Sequence, residues 1–137
     1  MSGNAVSVDT NVLLRATLNE PGLEPQCEAA RSIIASSDDD VVISDVTIAE
    51  YVHALESHYH IDRTTICDMV LTLVRLTNVR CSDTVIMSAL THYAGKPKLS
   101  FDDCFIAEYA RAHHAIPLWT FDRKLANQHD VAALIAT

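Results

Sequence analysis

Apolar residues along the chain follow two alternating patterns: short continuous runs, and longer stretches in which they recur every three or four positions. The short runs predict β-strands at residues 5–8, 41–43 and 116–119, with a weaker candidate at 78–81. The longer stretches predict amphipathic helices at residues 12–18, 24–36, 45–59, 66–74, 84–94 and 101–110, before a short helix and an apolar tail. Strands that alternate with helices form βαβ units, in which helices cover both faces of a parallel sheet. We therefore predict an α/β fold, a three-layer α/β/α sandwich with a short central parallel sheet.

The length and composition of the chain fit one compact domain. Of its 137 residues 49% are hydrophobic, enough for a sizeable core without disulfides. We expect a single domain over residues 1–137, because three glycines and four prolines leave no segment with the composition of a flexible linker. The polar run at residues 36–40, with three consecutive aspartates, is expected to form a solvated loop.

Two features favour a soluble, cytoplasmic protein. No apolar run reaches the length of about 20 residues that a transmembrane helix needs, and residues 1–8 lack the basic end and apolar stretch of a secretory signal.

The cysteines stand far apart without a C-x-x-C pair, so neither a zinc knuckle nor a redox motif is predicted. We expect buried thiols outside any disulfide at Cys27, Cys67, Cys81 and Cys104.

Four acidic residues stand where an open parallel sheet places its ligands. Asp9 and Asp122 directly follow strand patterns, whereas Glu50 and Asp103 lie near the starts of helices. In such sheets helices begin at the edge where strands end, and ligands bind at that edge. We therefore expect the four carboxylates to converge in one cleft.

Converging carboxylates repel each other in a partly dry cleft, and a divalent cation relieves that repulsion. Mg²⁺ prefers oxygen ligands and completes its coordination with water and substrate phosphate. Two such ions roughly 3.5 to 4 Å apart activate an attacking water and stabilise the leaving oxygen of a phosphodiester. The acids therefore predict one or two Mg²⁺ or Mn²⁺ ions and nuclease chemistry.

The net charge runs against simple nucleic-acid binding. Eighteen acidic residues against ten basic ones give a formal charge of −8, the wrong sign for gripping a phosphate backbone by bulk electrostatics. Bound divalent ions reduce this negative charge. Local basic side chains are expected to offset the remaining repulsion between the protein and the phosphate backbone. The basic residues nearest the acids in sequence are Arg15, Lys96, Lys98, Arg123 and Lys124.

Four motifs in the chain resemble those of PIN-domain ribonucleases, especially toxins of the VapC type. The first is D-T-N-V-L-L at residues 9–14, and the second is I-A-E at residues 48–50. The third is L-S-F-D-D-C-F-I-A at residues 99–107, and the fourth is L-W-T-F-D-R-K-L at residues 118–125. Their order and spacing resemble those of the family nearly from end to end, so together they are far more specific than any one alone.

The resemblance implies roles for these residues and partners for the protein. The metal-binding and catalytic acids would be Asp9, Glu50, Asp103 and Asp122. Asn11 and Thr120 would be polar neighbours that orient them, although bonding to the local backbone in turns is an open alternative for both and for Thr10. Asp102 lies one place from the usual acid. The resemblance further implies cleavage of structured RNA such as transfer or ribosomal RNA, a homodimer, and inhibition by a small cognate antitoxin protein.

The histidines and two large aromatic residues receive structural interpretations. Neither the pair His58 and His60 nor the pair His113 and His114 has a spacing that places both rings on one helix face, so we predict no histidine metal site. His53, His58 and His60 are expected at an exposed helix end. The core is expected to contain Trp119 and Phe121.

Two other functions stay open. The fold could serve as a catalytically silent interaction module, its acids structural and its partner a basic peptide. Aspartyl-phosphate phosphatases also begin with an aspartate at the first strand end and use a later acidic pair like Asp102 and Asp103. They require a second aspartate where Asn11 stands, however, and their acidic pair ends a strand. RNA cleavage, partner binding without cleavage, and phosphate release from monoesters distinguish the three functions.

Overall fold

The computed structural model describes residues 4–36 and 38–137. Expectations that fall on residues 1–3 and on Ser37 lie outside the described residues. The chain divides into two compact units, unit 1 at Met1–Ser82 and unit 2 at Asp83–Thr137. Each unit contains a small parallel sheet of its own. The expectation of a single domain stays a prediction.

Unit 1 is built around a three-stranded parallel sheet in the order β1-β2-β3. The strands are β1 (Ala5–Ser7), β2 (Asp40–Val42) and β3 (Val79–Arg80). The helices that connect and flank them are α1 (Thr10–Thr17), α2 (Glu24–Ala35), α3 (Asp45–Ser57) and α4 (Arg63–Val74). Val41 of the central strand lies opposite Val6 on one side and Val79 on the other. The predicted α/β class, with a parallel sheet flanked by helices, is confirmed.

The core of unit 1 forms where the apolar faces of α3 and α4 pack inward, as their periodicity predicts. The buried residues of these two helices are Ile48, Tyr51, Val52, Leu55, Ile66, Cys67, Val70, Leu73 and Val74. Tyr51 also buries a polar group, and its hydroxyl donates to Thr17 Oγ1 at 2.8 Å. Burial raises the pKa of Tyr51, against the smaller opposite effect of that hydrogen bond. The phenol is therefore neutral and satisfied inside the core.

The boundaries of two elements in unit 1 differ from prediction. Asp40, expected in the loop, is the first residue of β2, because its N–H donates to the Asn4 carbonyl at 3.0 Å and extends the sheet. Its carboxylate also lies 3.4 Å from the Arg80 guanidinium on the adjacent strand. Helix α3 ends at Ser57, so Tyr59 lies beyond the predicted helical face.

Unit 2 contains three helices and a two-stranded parallel sheet. Its elements are α5 (Asp83–Gly95), α6 (Phe101–Ala112), β4 (Leu118–Thr120), α7 (Arg123–Gln128) and β5 (Ala132–Leu134). Strand β5 is the apolar tail of the sequence, and it pairs with β4 so that Trp119 lies opposite Ala133. The tail carries no turn signal or alternation that would have identified it as a strand.

The buried face of α6 differs from the predicted one. Its buried residues are Phe101, Cys104, Ala107, Glu108 and Ala110. The apolar pattern that predicts this helix includes Ile106 and Tyr109 and so places them inside. Both are exposed, because the stripe that packs inward runs through positions 101, 104 and 108 at helical spacing. The Tyr109 ring instead stacks on His113, with 4.0 Å between ring centroids.

Trp119 and Phe121 were expected in the core, and that expectation is wrong. Trp119 is 62% exposed and Phe121 is 68% exposed. Along β4 side chains alternate between faces, so Trp119 points away from the side on which Leu118 and Thr120 are partly covered. Phe121 lies in the bend between β4 and α7, outside both elements.

All four cysteines lie in the described part of the chain, and none is in a disulfide. Cys27, Cys67 and Cys104 are buried as expected, whereas Cys81 is only partly covered. His53, His58 and His60 are exposed, as predicted. Among the described residues, no helix combines the length and the apolar character required to cross a membrane.

We expect the core packing of α3 to decide the stability of unit 1. Ile48→Ala removes a fully buried side chain and should lower the free energy of unfolding by about 2 to 5 kcal/mol, through lost transfer energy and an unfilled cavity. Val46→Ala, two residues earlier on the same helix at a side chain that is 67% exposed, is the matched control and should change it by less than about 0.5 kcal/mol. Urea denaturation followed by circular dichroism measures both. Equal losses in the two variants would contradict this packing.

Candidate active site

Asp9 lies at the carboxyl end of β1, where the chain enters α1. It is the N-cap of that helix, and its Oδ1 accepts a hydrogen bond from the backbone N–H of Val12 at 3.1 Å. Its other oxygen, Oδ2, accepts no hydrogen bond from the residues that the structure describes. A groove of about 590 Å³ opens beside it, lined by Ser7, Val8, Asp9, Val12, Val42, Ser44 and Thr47. The carboxyl ends of β1 and β2 thus border a groove with a carboxylate on its rim, where open parallel sheets bind ligands.

Glu50 lies in the second turn of α3 and is exposed. Its Oε1 accepts a hydrogen bond from the hydroxyl of Thr10, the residue next to Asp9, at 3.0 Å. The residue that follows Asp9 therefore connects the two candidate acids of unit 1, because its hydroxyl donates to Glu50. The side chain of Asn11, expected as the orienting neighbour, is exposed and bonds to neither acid. Thr10, whose hydroxyl reaches across to another helix, takes that position.

Asp103 lies in the first turn of α6 and takes part in a reciprocal cap. Its backbone N–H donates to Ser100 Oγ at 3.1 Å, while its own Oδ2 accepts from the backbone N–H of Ser100 at 3.3 Å. This capping box satisfies two backbone donors at once. Asp102, one place earlier, is exposed and lies outside the capping box. The structure therefore gives the two neighbouring aspartates different local environments.

Asp122 caps the N-terminus of α7, directly after β4. Its Oδ1 accepts hydrogen bonds from the backbone N–H groups of Lys124 at 2.9 Å and of Leu125 at 3.2 Å. Its own N–H donates to Thr120 Oγ1 at 2.9 Å. Thr120, expected as a polar neighbour, thus bonds to the local backbone and holds the turn that presents Asp122.

The three aspartates share one arrangement, in which a helix cap occupies a single carboxylate oxygen. Each cap fixes the rotamer of its carboxylate. In the described part of the chain, the second oxygen of each aspartate accepts no hydrogen bond. Ionised carboxylate oxygens of fixed orientation are the donors that Mg²⁺ and Mn²⁺ prefer. The residues therefore fit a hard divalent cation.

The five basic residues named from the sequence differ in whether their side chains already have protein partners. Arg15 lies 3.5 Å from Glu20 and donates to Gln26, and Lys96 donates to the backbone carbonyl of Gln128. Of the five, Lys98, Arg123 and Lys124 are exposed and make no ion pair with other described residues. These three are the ones available to contact an external anion.

The fold and these side chains define a class of protein. It is an α/β protein with helix-capped carboxylates, and its carboxylate oxygens are suited to a divalent cation. Residues 6–131 match the family model of the PIN domain. The chain therefore belongs to the PIN-domain family, whose fold is typical of nucleases that use divalent metals. No curated protein and no solved structure matches the chain significantly.

A second group of titratable residues, all in unit 2, was missed by the sequence analysis. Nε2 of His92 and Nε2 of His129 lie 3.2 and 2.7 Å from the same carboxylate oxygen, Oε2 of Glu108. Glu108 is 5% exposed and His129 is 2% exposed. Burial lowers the pKa of His129, although the hydrogen bond to Glu108 opposes that shift. We call this group the His-Glu-His cluster.

One signal for the His-Glu-His cluster was present in the sequence. Glu108 lies in register with Phe101 and Cys104 on the inward stripe of α6, and a charged residue on such a stripe requires a buried partner. The partners themselves could not be found, since His92 and His129 lie on other elements far along the chain. The histidine pairs considered from spacing lie elsewhere.

Two substitutions should separate the capping role of Asp122 from its negative charge. Asn is as good an N-cap as Asp, so Asp122→Asn should leave the free energy of unfolding nearly unchanged. Asp122→Ala removes the acceptor of two backbone N–H groups and should lower it by about 0.5 to 2 kcal/mol. Paired denaturation curves of the two variants measure the difference. Equal stability of both would contradict the capping role.

Proposed function

We propose that this PIN-domain protein is a Mg²⁺- or Mn²⁺-dependent endoribonuclease that acts as the toxin of a toxin–antitoxin pair. The observation that carries the proposal is the PIN-domain match over residues 6–131, together with the orientation of the aspartate oxygens by helix caps. The metal-binding and catalytic residues would be Asp9, Glu50, Asp103 and Asp122. The proposed setting is the cytoplasm, where the protein forms a homodimer and a small antitoxin protein inhibits it.

The chain's own contribution is to hold acids in position before substrate arrives. Helix caps occupy one oxygen of each of the three aspartates and leave the other without a hydrogen bond from the described residues, and the Thr10 hydroxyl donates to Glu50. When bound, one or two divalent ions would supply an activated water and charge stabilisation at the leaving oxygen of the phosphodiester. Preorganised side chains require no rearrangement during the reaction, and this accounts for much of the benefit of such sites.

Substrate binding by an acidic protein must rely on local contacts. At a formal charge of −8, long-range attraction to RNA is absent. The exposed side chains of Lys98, Arg123 and Lys124 are the proposed phosphate contacts in unit 2, since Arg15 and Lys96 already have protein partners. A structured RNA of the transfer or ribosomal class is the proposed substrate.

Cleavage should require both the metal and the acids. The full chain incubated with total transfer RNA or ribosomal RNA is expected to produce defined cuts with Mg²⁺ or Mn²⁺ and none in excess chelator. Asp9→Asn and Asp103→Asn should each lower the cleavage rate by about 10²- to 10³-fold or more, because they remove charge at the ion while keeping cap acceptors. Gel analysis and sequencing of RNA ends measure cutting and its position.

The matched control is Asp68→Asn, which changes an exposed acid on α4 and should leave cleavage unchanged. Full cutting in chelator would refute metal dependence. Partner binding without cutting would favour the interaction module, and phosphate release from monoesters would favour the phosphatase. Expression of the wild-type chain in a bacterial host tests the toxin role, because growth should stop, whereas the Asp9→Asn chain should be tolerated.

The hydrogen bond from Thr10 should tune the rate through Glu50. Thr10→Val keeps the shape of the side chain but removes the donor, so kcat should fall about tenfold, which corresponds to about 1.4 kcal/mol. Thr10→Ser retains a hydroxyl and should keep most of the activity. Steady-state kinetics on an oligonucleotide substrate separate kcat from KM, and a change in KM alone would contradict this positioning role.

A further inference from the structure

The His-Glu-His cluster of unit 2 has the composition of a transition-metal site. Its three ligand atoms, two imidazole nitrogens and one carboxylate oxygen, all lie within 4.8 Å of one another. They come from α5, from α6 and from the residue that ends α7, so they join three helices. Two histidines and one glutamate are a ligand set that zinc uses in proteins, with the fourth position held by water.

The distances in the cluster are close to those of a coordination sphere. Ligands about 2.0 to 2.2 Å from a tetrahedral zinc lie about 3.3 to 3.5 Å from one another. The observed separations between Oε2 of Glu108 and the two Nε2 atoms are 2.7 and 3.2 Å. An ion therefore requires Oε2 to move about 0.6 to 0.8 Å farther from Nε2 of His129 and about 0.1 to 0.3 Å farther from Nε2 of His92. The partly exposed ring of His92 provides the side from which an ion and a water enter.

The ligands also have the supporting contacts that metal sites use. Nδ1 of His129, the nitrogen that does not contact Glu108, accepts a hydrogen bond from the backbone N–H of Val131 at 3.3 Å and also lies 3.3 Å from Asp130 Oδ1. When Nε2 binds an ion, Nδ1 carries the ring proton and can donate it to Asp130. A carboxylate in this position orients the ring and strengthens it as a ligand. Arg111 Nε lies 3.2 Å from Oε1 of Glu108 and its Nη2 donates to Asp130 at 2.7 Å, so one guanidinium holds both carboxylates.

We propose that His92, Glu108 and His129 bind one Zn²⁺ ion, with water as the fourth ligand, and that this ion stabilises unit 2. The site differs from the proposed nuclease site in its chemistry, because imidazole nitrogen selects zinc-class ions, whereas carboxylate and water oxygens suit Mg²⁺ and Mn²⁺. It also differs in its residues, since it contains none of the four acids. The two sites would therefore hold different metals.

Binding is tested on the full chain carrying Asp9→Asn and Asp103→Asn, which weakens the proposed nuclease site. After dialysis against chelator, calorimetric titration with ZnCl₂ should show one equivalent bound, and MgCl₂ should bind at least a hundredfold more weakly. Adding His92→Ala should weaken zinc binding by more than a hundredfold, and adding Asp130→Asn should weaken it by about 10- to 100-fold. His113→Ala, an exposed histidine of the same unit, is the matched control and should leave affinity unchanged.

Two further measurements do not depend on how the cluster variants fold. X-ray absorption at the zinc edge, recorded with one equivalent bound, should report two imidazole ligands. Zinc at a hundred times its Kd should raise the folded-to-unfolded ratio of the parent chain about a hundredfold. The proposal is overturned if zinc does not bind saturably, if His92→Ala binds it as the parent does, or if fewer than two imidazoles coordinate. Each result would leave the cluster as a hydrogen-bonded ion group.

Discussion

Hydrogen bonds from helix N-terminal amides to aspartate oxygens are the interaction that orients three of the four candidate acids. Asp9, Asp103 and Asp122 each accept such bonds where a helix begins. An aspartate held in this way has a fixed rotamer and lies at the positive end of a helix dipole. The same bonds that start α1, α6 and α7 therefore orient the acids. Helix formation and orientation of the carboxylate are therefore one event at each of these positions.

Much of the fold was accessible from the sequence because apolar periodicity reports burial directly. Helix α4 was predicted from its apolar spacing over residues 66–74, and the structure buries Ile66, Val70, Leu73 and Val74 of that stretch. The positions of the four acids at strand ends and helix starts were accessible because these are local features, whereas their joint role stays a prediction. Prediction failed where neighbours decide the outcome. Trp119 is exposed because alternation along β4 turns it away from the covered side, which no property of the residue itself encodes.

In unit 2 the same limit of prediction applies to a charged residue that is buried. Glu108 is buried although its residue type favours the surface, and its partners reach it from α5 and from the end of α7. Packing on α6 brings these groups together across long stretches of chain, so only the unusual position of the glutamate is visible in the sequence. The molecule thus holds carboxylates in two ways: capped at the surface, or buried among imidazoles and a guanidinium.

The parallel pairing of β4 with β5 links the last residues of the chain to Asp122. The N–H of Ile135 donates to the carbonyl of Thr120 at 2.9 Å, and Thr120 in turn accepts from the N–H of Asp122. The segment from β5 to Ile135 is consequently part of the scaffold that holds the turn at Asp122. Any insertion or tag placed after Ile135 needs a spacer that leaves this strand intact, and loss of β5 would disturb the turn that presents Asp122.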